Sequence, residues 1–255
     1  MPTVEQSVAQ LQQTNAELVT ASNELTNEVT SKLSTINSTV DAKMQEIDGS
    51  LNTAVTSLND YLARARAEHP FYRLTKNQLG TVTSNVLDGY SVNGAFPIQF
   101  ELYRVVQSGI AWELRDDEEK EILTAMGRAR AVHFSPDINV VKMTWSGWQS
   151  SVSAPTFYQK SDKSTTLTCA SYARLVSGSL GSAAAGFTGI TNEWGLCGDV
   201  FSGSPGSYFH DHPYIASESG EILFFWYATV AGLVPLERNR PRWGHFPYIY
   251  DNQPL

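Results

Sequence analysis

Between Val4 and Leu62 the large apolar side chains fall into one line. Positions Val4, Val8, Leu11, 15, Leu18, 22, Leu25, Val29, Leu33, Ile36, Val40, Met44, Ile47, Leu51, Val55, Leu58 and Leu62 follow one another by threes and fours, and only Asn15 and Ser22 are polar. The residues between them are almost all Thr, Ser, Asn, Gln, Glu and Ala, with Val19 and Tyr61 the other large apolar side chains. Such a line is a single narrow apolar seam on one long helix. From Val4 to Val29 the steps alternate four and three, which is a left-handed heptad seam. From Leu25 they run four, four, three, so that Leu25, Ile36, Ile47 and Leu58, and likewise Val29, Val40, Leu51 and Leu62, recur every eleven residues, with Leu33, Met44 and Val55 as the third row. An eleven-residue repeat runs straight or coils gently to the right.

A hairpin turning at Asp48-Gly49-Ser50 is the competing arrangement. Against it, Ile47 and Leu51 keep register through Gly49, and one glycine costs a helix only about 1 kcal/mol. Twenty-two of the first sixty-two residues are Ser, Thr or Asn, which hold an isolated helix together poorly. The pattern therefore predicts a continuous coiled-coil helix whose seam is covered by copies of itself. Glu5 near its start and Arg64 and Arg66 near its end suit the macrodipole.

His69-Pro70 is the expected stop, and the period then changes from three-and-four to two. Phe71–Thr75, Gly80–Ser84, Tyr90–Val92, Phe96–Val106, Ile138–Trp145 and Ile222–Val230 read as strands, and Thr165–Val176 as a strand pair. Asp88-Gly89 and Asn93-Gly94 are hairpin-turn dipeptides. Residues 116–126 read as one short helix, with acids in its first turn and Gly127 as its stop. The expected fold class is α+β: a long N-terminal coiled-coil helix, then a mainly-β domain with one short helix. The expected divisions are a shaft over 1–67, a β connector over 68–130 and a β-rich knob over 131–255. The small-residue stretches Ser177–Gly189 and Gly198–Ser207 are expected to be loops facing a partner.

Composition sharpens this division. No aromatic residue precedes Tyr61, and all six Trp, every Phe, seventeen of eighteen Gly and ten of eleven Pro lie beyond it. A formal net charge of -8 argues against a general nucleic-acid binder. The N-terminus lacks the basic-then-apolar pattern of a secretion signal. The fifteen-residue apolar run Ile222–Leu236 is short of the roughly twenty a membrane span needs. Cys169 and Cys197 are too few for a disulfide framework or a zinc site and are expected to be core thiols, with a bridge between them as the alternative.

No nucleophile elbow, P-loop, dinucleotide fingerprint or zincin helix is present, so no enzyme is expected. His210-Asp211-His212 is the one metal-like spacing, since residues two apart on a strand face the same way; the competing reading is a loop pair, with Pro213 directly after it. Trp145, Trp148, Trp194, Tyr208, Trp243, Tyr248 and Tyr250 sit beside Gly, Asn, Asp or Pro and are the candidate receptor-binding residues. Exposed rings next to polar side chains suit sugars, whose apolar faces stack while their hydroxyls form hydrogen bonds. The competing reading places these rings in a core or an interface.

A thin helical rod rich in Thr, Ser and Asn, followed by a compact β domain with Gly/Ser loops and aromatic tips, resembles the tail fibre or receptor-binding protein of a tailed bacteriophage. That resemblance is architectural and covers the chain as an order of parts, shaft over Met1–Ala67 and knob over Glu68–Leu255. It implies a homotrimer in the virion's tail or baseplate, assembled in the host cytoplasm, docked through its N-terminal end on other tail proteins and attaching to a host surface glycan or protein. It also implies that three copies of His210 and His212 on a shared axis would offer six imidazoles to an iron or similar transition metal. A structural fibre of capsid, neck or baseplate and a polysaccharide-cleaving spike are the alternatives from other classes.

Overall fold

The computed structural model describes residues 3–68, 71–151 and 154–249, with residues 60–68 described by their backbone alone. Two compact units result, 1–70 and 71–255.

The first unit is a single helix, α1 (Val4–Glu68), 65 residues that pass through Gly49 without a break. At about 1.5 Å per residue it extends about 98 Å. Thr3 caps it: the Gln6 amide donates to Thr3 Oγ1 at 3.3 Å while the Thr3 amide donates to Gln6 Oε1 at 3.0 Å, a reciprocal capping box. Little else within the helix holds it. The hydroxyls of Thr14, Thr20, Thr26, Thr30, Thr35, Thr39 and Thr53 each bond back to the carbonyl four residues earlier, which satisfies the hydroxyl but does not strengthen the helix. Two exposed ion pairs, Glu28–Lys32 at 2.9 Å and Lys43–Glu46 at 2.6 Å, contribute about 0.2–0.5 kcal/mol each. The expected stop at His69-Pro70 lies outside the described residues.

The second unit is built on a five-stranded antiparallel sheet in the order β4 (Ile98–Val106), β5 (Ile138–Trp145), β11 (Gly220–Ala231), β8 (Leu167–Ser177), β9 (Gly195–Phe201). Three two-stranded ribbons surround it: β1 (Val82–Thr83) with β2 (Val86–Leu87), β3 (Ser91–Val92) with β6 (Phe157–Tyr158), and β7 (Lys160–Asp162) with β10 (Tyr208–His210). Strand β11 is central because it is apolar on both faces, with nine consecutive buried residues from Ile222 to Val230. Ile222, Phe224 and Tyr227 pack with Phe100, Met143, Phe157 and Phe187. Leu223, Phe225, Trp226, Ala228 and Val230 pack with Ile138, Val140, Tyr172 and the short helix α2 (Asp117–Ala125). A bulge between Phe225 and Ala228, with Trp226 at φ 53°, places two successive side chains in the same layer and shifts the alternation by one.

Several expectations change here. The boundary between a connector and a knob at 130/131 dissolves, because β4 from the first is hydrogen-bonded to β5 from the second throughout its length. The expected pair over 165–176 is one long strand, β8 from Leu167 to Ser177, whose residues Leu167 to Ala173 are each in register with β9. The Ser177–Gly189 stretch enters the core at Ala184, Ala185 and Phe187. Small residues serve close packing at this point: a Cβ on Gly186 would lie 2.5 Å from the Tyr227 ring.

Candidate functional site

Along α1 every described seam side chain is exposed, from 49 % at Val29 to 81 % at Val4, including Leu11, Leu18, Leu25, Leu33, Ile36, Val40, Met44, Ile47, Leu51, Val55 and Leu58. Leu62 belongs to the same line, and its side chain lies outside the described residues. An apolar line this long left in water is a candidate interaction surface.

In the β unit the candidate rings separate. Trp145, Trp194 and Trp243 are core residues, 2 %, 9 % and 4 % exposed. Trp145 alternates inward on β5 and packs so closely on the backbone that a Cβ on Gly220 would meet its ring at 2.1 Å. Trp243 is tied down twice, its indole donating to the Trp226 carbonyl at 2.9 Å and its own carbonyl accepting from Tyr172 Oη at 3.0 Å. Residues Gly244 and Phe246 are fastened the same way: Gln78 donates to the Gly244 carbonyl at 2.8 Å and accepts from the Phe246 amide at 2.8 Å, and Arg73 caps the Phe246 carbonyl at 2.9 Å. Tyr248 lies under the Arg73 guanidinium at 4.9 Å, and Trp148 is half-buried against the core. Tyr250 lies outside the described residues. Tyr208 alone of the set is strongly exposed, at 59 %.

Tyr208 begins a run in which alternate residues face opposite ways. Phe209, Asp211, Pro213 and Ile215 are buried, while His210, His212 and Tyr214 are half-buried on the side that Tyr208 shares. The outward rings touch in series, with centroids 4.8 Å apart from Tyr208 to His210, 5.7 Å from His210 to His212 and 4.9 Å from His212 to Tyr214. Tyr158, from the strand ahead of β7, joins at 4.9 Å from His210 and 6.1 Å from His212. Lys160, opposite His210 in the β7–β10 register, holds its ammonium 5.0 Å above the Tyr208 ring. Two hollows flank this face. One of about 380 Å³ is lined by Lys160, Asp162, Ser207 and Tyr208, the other of about 120 Å³ by Ser182, Thr188, Asp199, His210, His212 and Tyr214.

The inward row makes the face rigid. Asp211, fully buried, accepts from the Gln159 amide at 2.6 Å and from Thr229 Oγ1 at 3.4 Å, and its carbonyl accepts from the Tyr227 hydroxyl. Burial lifts the Asp211 carboxyl to about 7, against the smaller downward pull of these hydrogen bonds. Burial also lowers His212, and His210 beside it acts in the same direction. Cys169 and Cys197 are free and buried, and burial pushes both thiols up, Cys197 to about 12, so neither is poised as a nucleophile. His210 and His212 do share a face, as a strand requires, yet among the described residues no group of three His, Cys, Asp or Glu is placed to hold a metal ion.

A third, larger hollow of about 600 Å³ lies between α2 and residues 192–194, lined by Asp117, Lys120, Glu121, Arg174, Asn192, Glu193 and Trp194. Its charges are engaged with one another: Arg174 lies 5.4 Å over Trp194 and pairs with Glu118 at 2.5 Å and Glu121 at 3.6 Å. Tyr158, Lys160 and Tyr214 were not among the candidates from sequence. Tyr214 had a signal in the period-two run Tyr208, His210, His212, Tyr214, of which the His-x-His spacing is only the middle; Tyr158 and Lys160 are brought there by strand pairing and had none.

No family model matches the chain, and no curated protein and no solved structure matches it either.

Proposed function

We propose that this chain is a homotrimeric tail fibre or receptor-binding protein of a tailed bacteriophage. In this reading α1 pairs with its copies as a coiled-coil shaft that docks on other tail or baseplate proteins, and the β unit attaches to the host surface. One observation carries it: fourteen large apolar side chains of α1 lie exposed in a single line on a helix whose own sequence is too rich in Ser, Thr and Asn to persist alone. The change from a heptad to an eleven-residue spacing supports a side-by-side assembly of identical helices, since one register then serves every copy.

Adhesion then rests on number. Each β unit needs only a weak contact, because linked sites turn later contacts into intramolecular ones and raise avidity by about 10²–10⁴. No bond need be broken. The test is attachment of the fluorescently labelled full chain to a panel of bacterial strains. Binding to a restricted subset is expected, together with competition against phage that infect the same strains. Uniform failure across strains that support such phage overturns the adhesive reading in favour of a structural fibre.

A further inference from the structure

The outward face of the β7–β10 ribbon has features that an ordinary solvated strand pair lacks. Five rings, Tyr158 from β6 and four from the run that begins in β10, are in contact, and all five carry polar atoms, phenol hydroxyls or imidazole nitrogens, at their edges. Hydrogen-bonding side chains stand on both sides, Lys160, Asp162 and Ser207 along one and Ser182, Thr188 and Asp199 along the other. Beneath the rings, Phe209 packs on Phe201 with centroids 4.4 Å apart, and Asp211 is held from two neighbouring segments. The rings are therefore fixed before any ligand arrives, which lowers the ordering cost of binding.

We propose that this face is a saccharide-binding site, in which pyranose rings of a chain stack along Tyr208, His210, Tyr158 and Tyr214 while their hydroxyls reach the flanking Ser, Thr, Asp and Lys side chains. The size of the face selects the ligand. Four of the five rings are half-buried and only Tyr208 is strongly exposed, so the face is a narrow strip, well short of the roughly 800 Å² per partner of a stable protein interface. The chemistry agrees, since polar-edged rings between hydroxyl and carboxylate groups match a ligand with apolar C–H faces and a rim of hydroxyls. The seven-residue run from Tyr208 to Tyr214 spans about 20 Å at strand spacing, so an oligosaccharide fits better than a single sugar. This inference names the ligand class of the adhesive reading and rests on that reading for its biological role, but the binding itself belongs to a single chain.

The test is saturation-transfer NMR on the full chain with a panel of defined hexasaccharides, neutral and acidic, at millimolar concentration. Transfer to pyranose C–H protons of at least one member is expected. Tyr208→Ala with Tyr214→Ala should weaken that binding about tenfold or more, as expected for loss of two stacking rings, whereas Tyr208→Phe should keep it. Tyr103→Ala, at an exposed tyrosine on β4, should change nothing. Absence of transfer from the whole panel overturns the proposal, as does equal binding by the double variant. If the double variant instead lowers the mass of the assembled particle, the face is a contact between copies and the proposal also fails. A single-chain mass with sugar binding intact would remove the fibre reading and leave this one standing; an assembled particle that binds no sugar would do the reverse.

Discussion

Helix α1 and strand β11 are the two most regularly apolar stretches of the chain, and they end in opposite circumstances. Strand β11 carries nine consecutive buried residues, covered on one face by Phe100, Phe157 and Phe187 and on the other by Tyr172, Ile138 and α2. Along α1 every described seam residue is at least 49 % exposed. The difference lies in what the sequence supplies around each. Every Trp and Phe and nearly all Gly and Pro follow residue 61, so the β unit has both the bulk to fill a core and the turns to fold back on it. The first sixty residues have neither, and their apolar line finds no cover among the described residues. The β unit should therefore be stable independently of concentration, and α1 should not.

Charging the seam breaks this comparison most severely. Leu33→Asp with Ile36→Asp should abolish assembly and remove most of the α1 helicity, read as loss of ellipticity at 222 nm, while near-ultraviolet signals from the aromatic core persist. Phe224→Ala tests the other region. Its ring is 1 % exposed and stacks on Phe157 at 6.1 Å, so truncation should cost about 3–5 kcal/mol of β-unit stability in urea titrations and leave the particle mass unchanged.

The third test uses pH. Because the folded-state value of Asp211 is about 7, above its ordinary 3.8, the folded chain holds a proton there that the unfolded chain has released. This stabilisation is full below the ordinary value and is lost as pH rises through about 7. The β unit should lose up to about 4 kcal/mol between pH 4 and pH 8, and Asp211→Asn should flatten that slope. The smallest effect is expected at Asn15, the polar break in the heptad part of the seam. Asn15→Leu should stabilise the assembly by about 1 kcal/mol per chain, read as a higher melting temperature, and broaden its mass distribution, since a buried Asn trades stability for register and strand number.

The seam was the most legible part of the sequence because helical periodicity needs only local spacing, and Gly49 could be dismissed from the phase of Ile47 and Leu51 alone. Its cap went unread, because attention to the charge of Glu5 passed over the Thr3-x-x-Gln6 spacing of a capping box. The strands β4, β5 and β11 followed from alternation or continuous apolarity. Their order did not, since nothing local in Ile98–Val106 says that its partner is thirty residues away beyond α2. Aromatic positions were the least legible. Trp145 and Trp194 stand beside Ser and Gly as surface rings would, but Trp145 covers the Gly220 backbone and Trp194 lies under Arg174. The exposed rings sit where strand alternation, not the neighbouring residue type, turns them outward, as at Tyr208 and Tyr214.

The central claim is that α1 hides its apolar line only against copies of itself. Sedimentation or light scattering of the full chain across a hundredfold range of concentration measures this directly. The expected result is a particle of about 84 kDa, three times the 28.1 kDa chain, whose helicity and mass fall together on dilution. A 28.1 kDa species that keeps the α1 helicity at every concentration would contradict it.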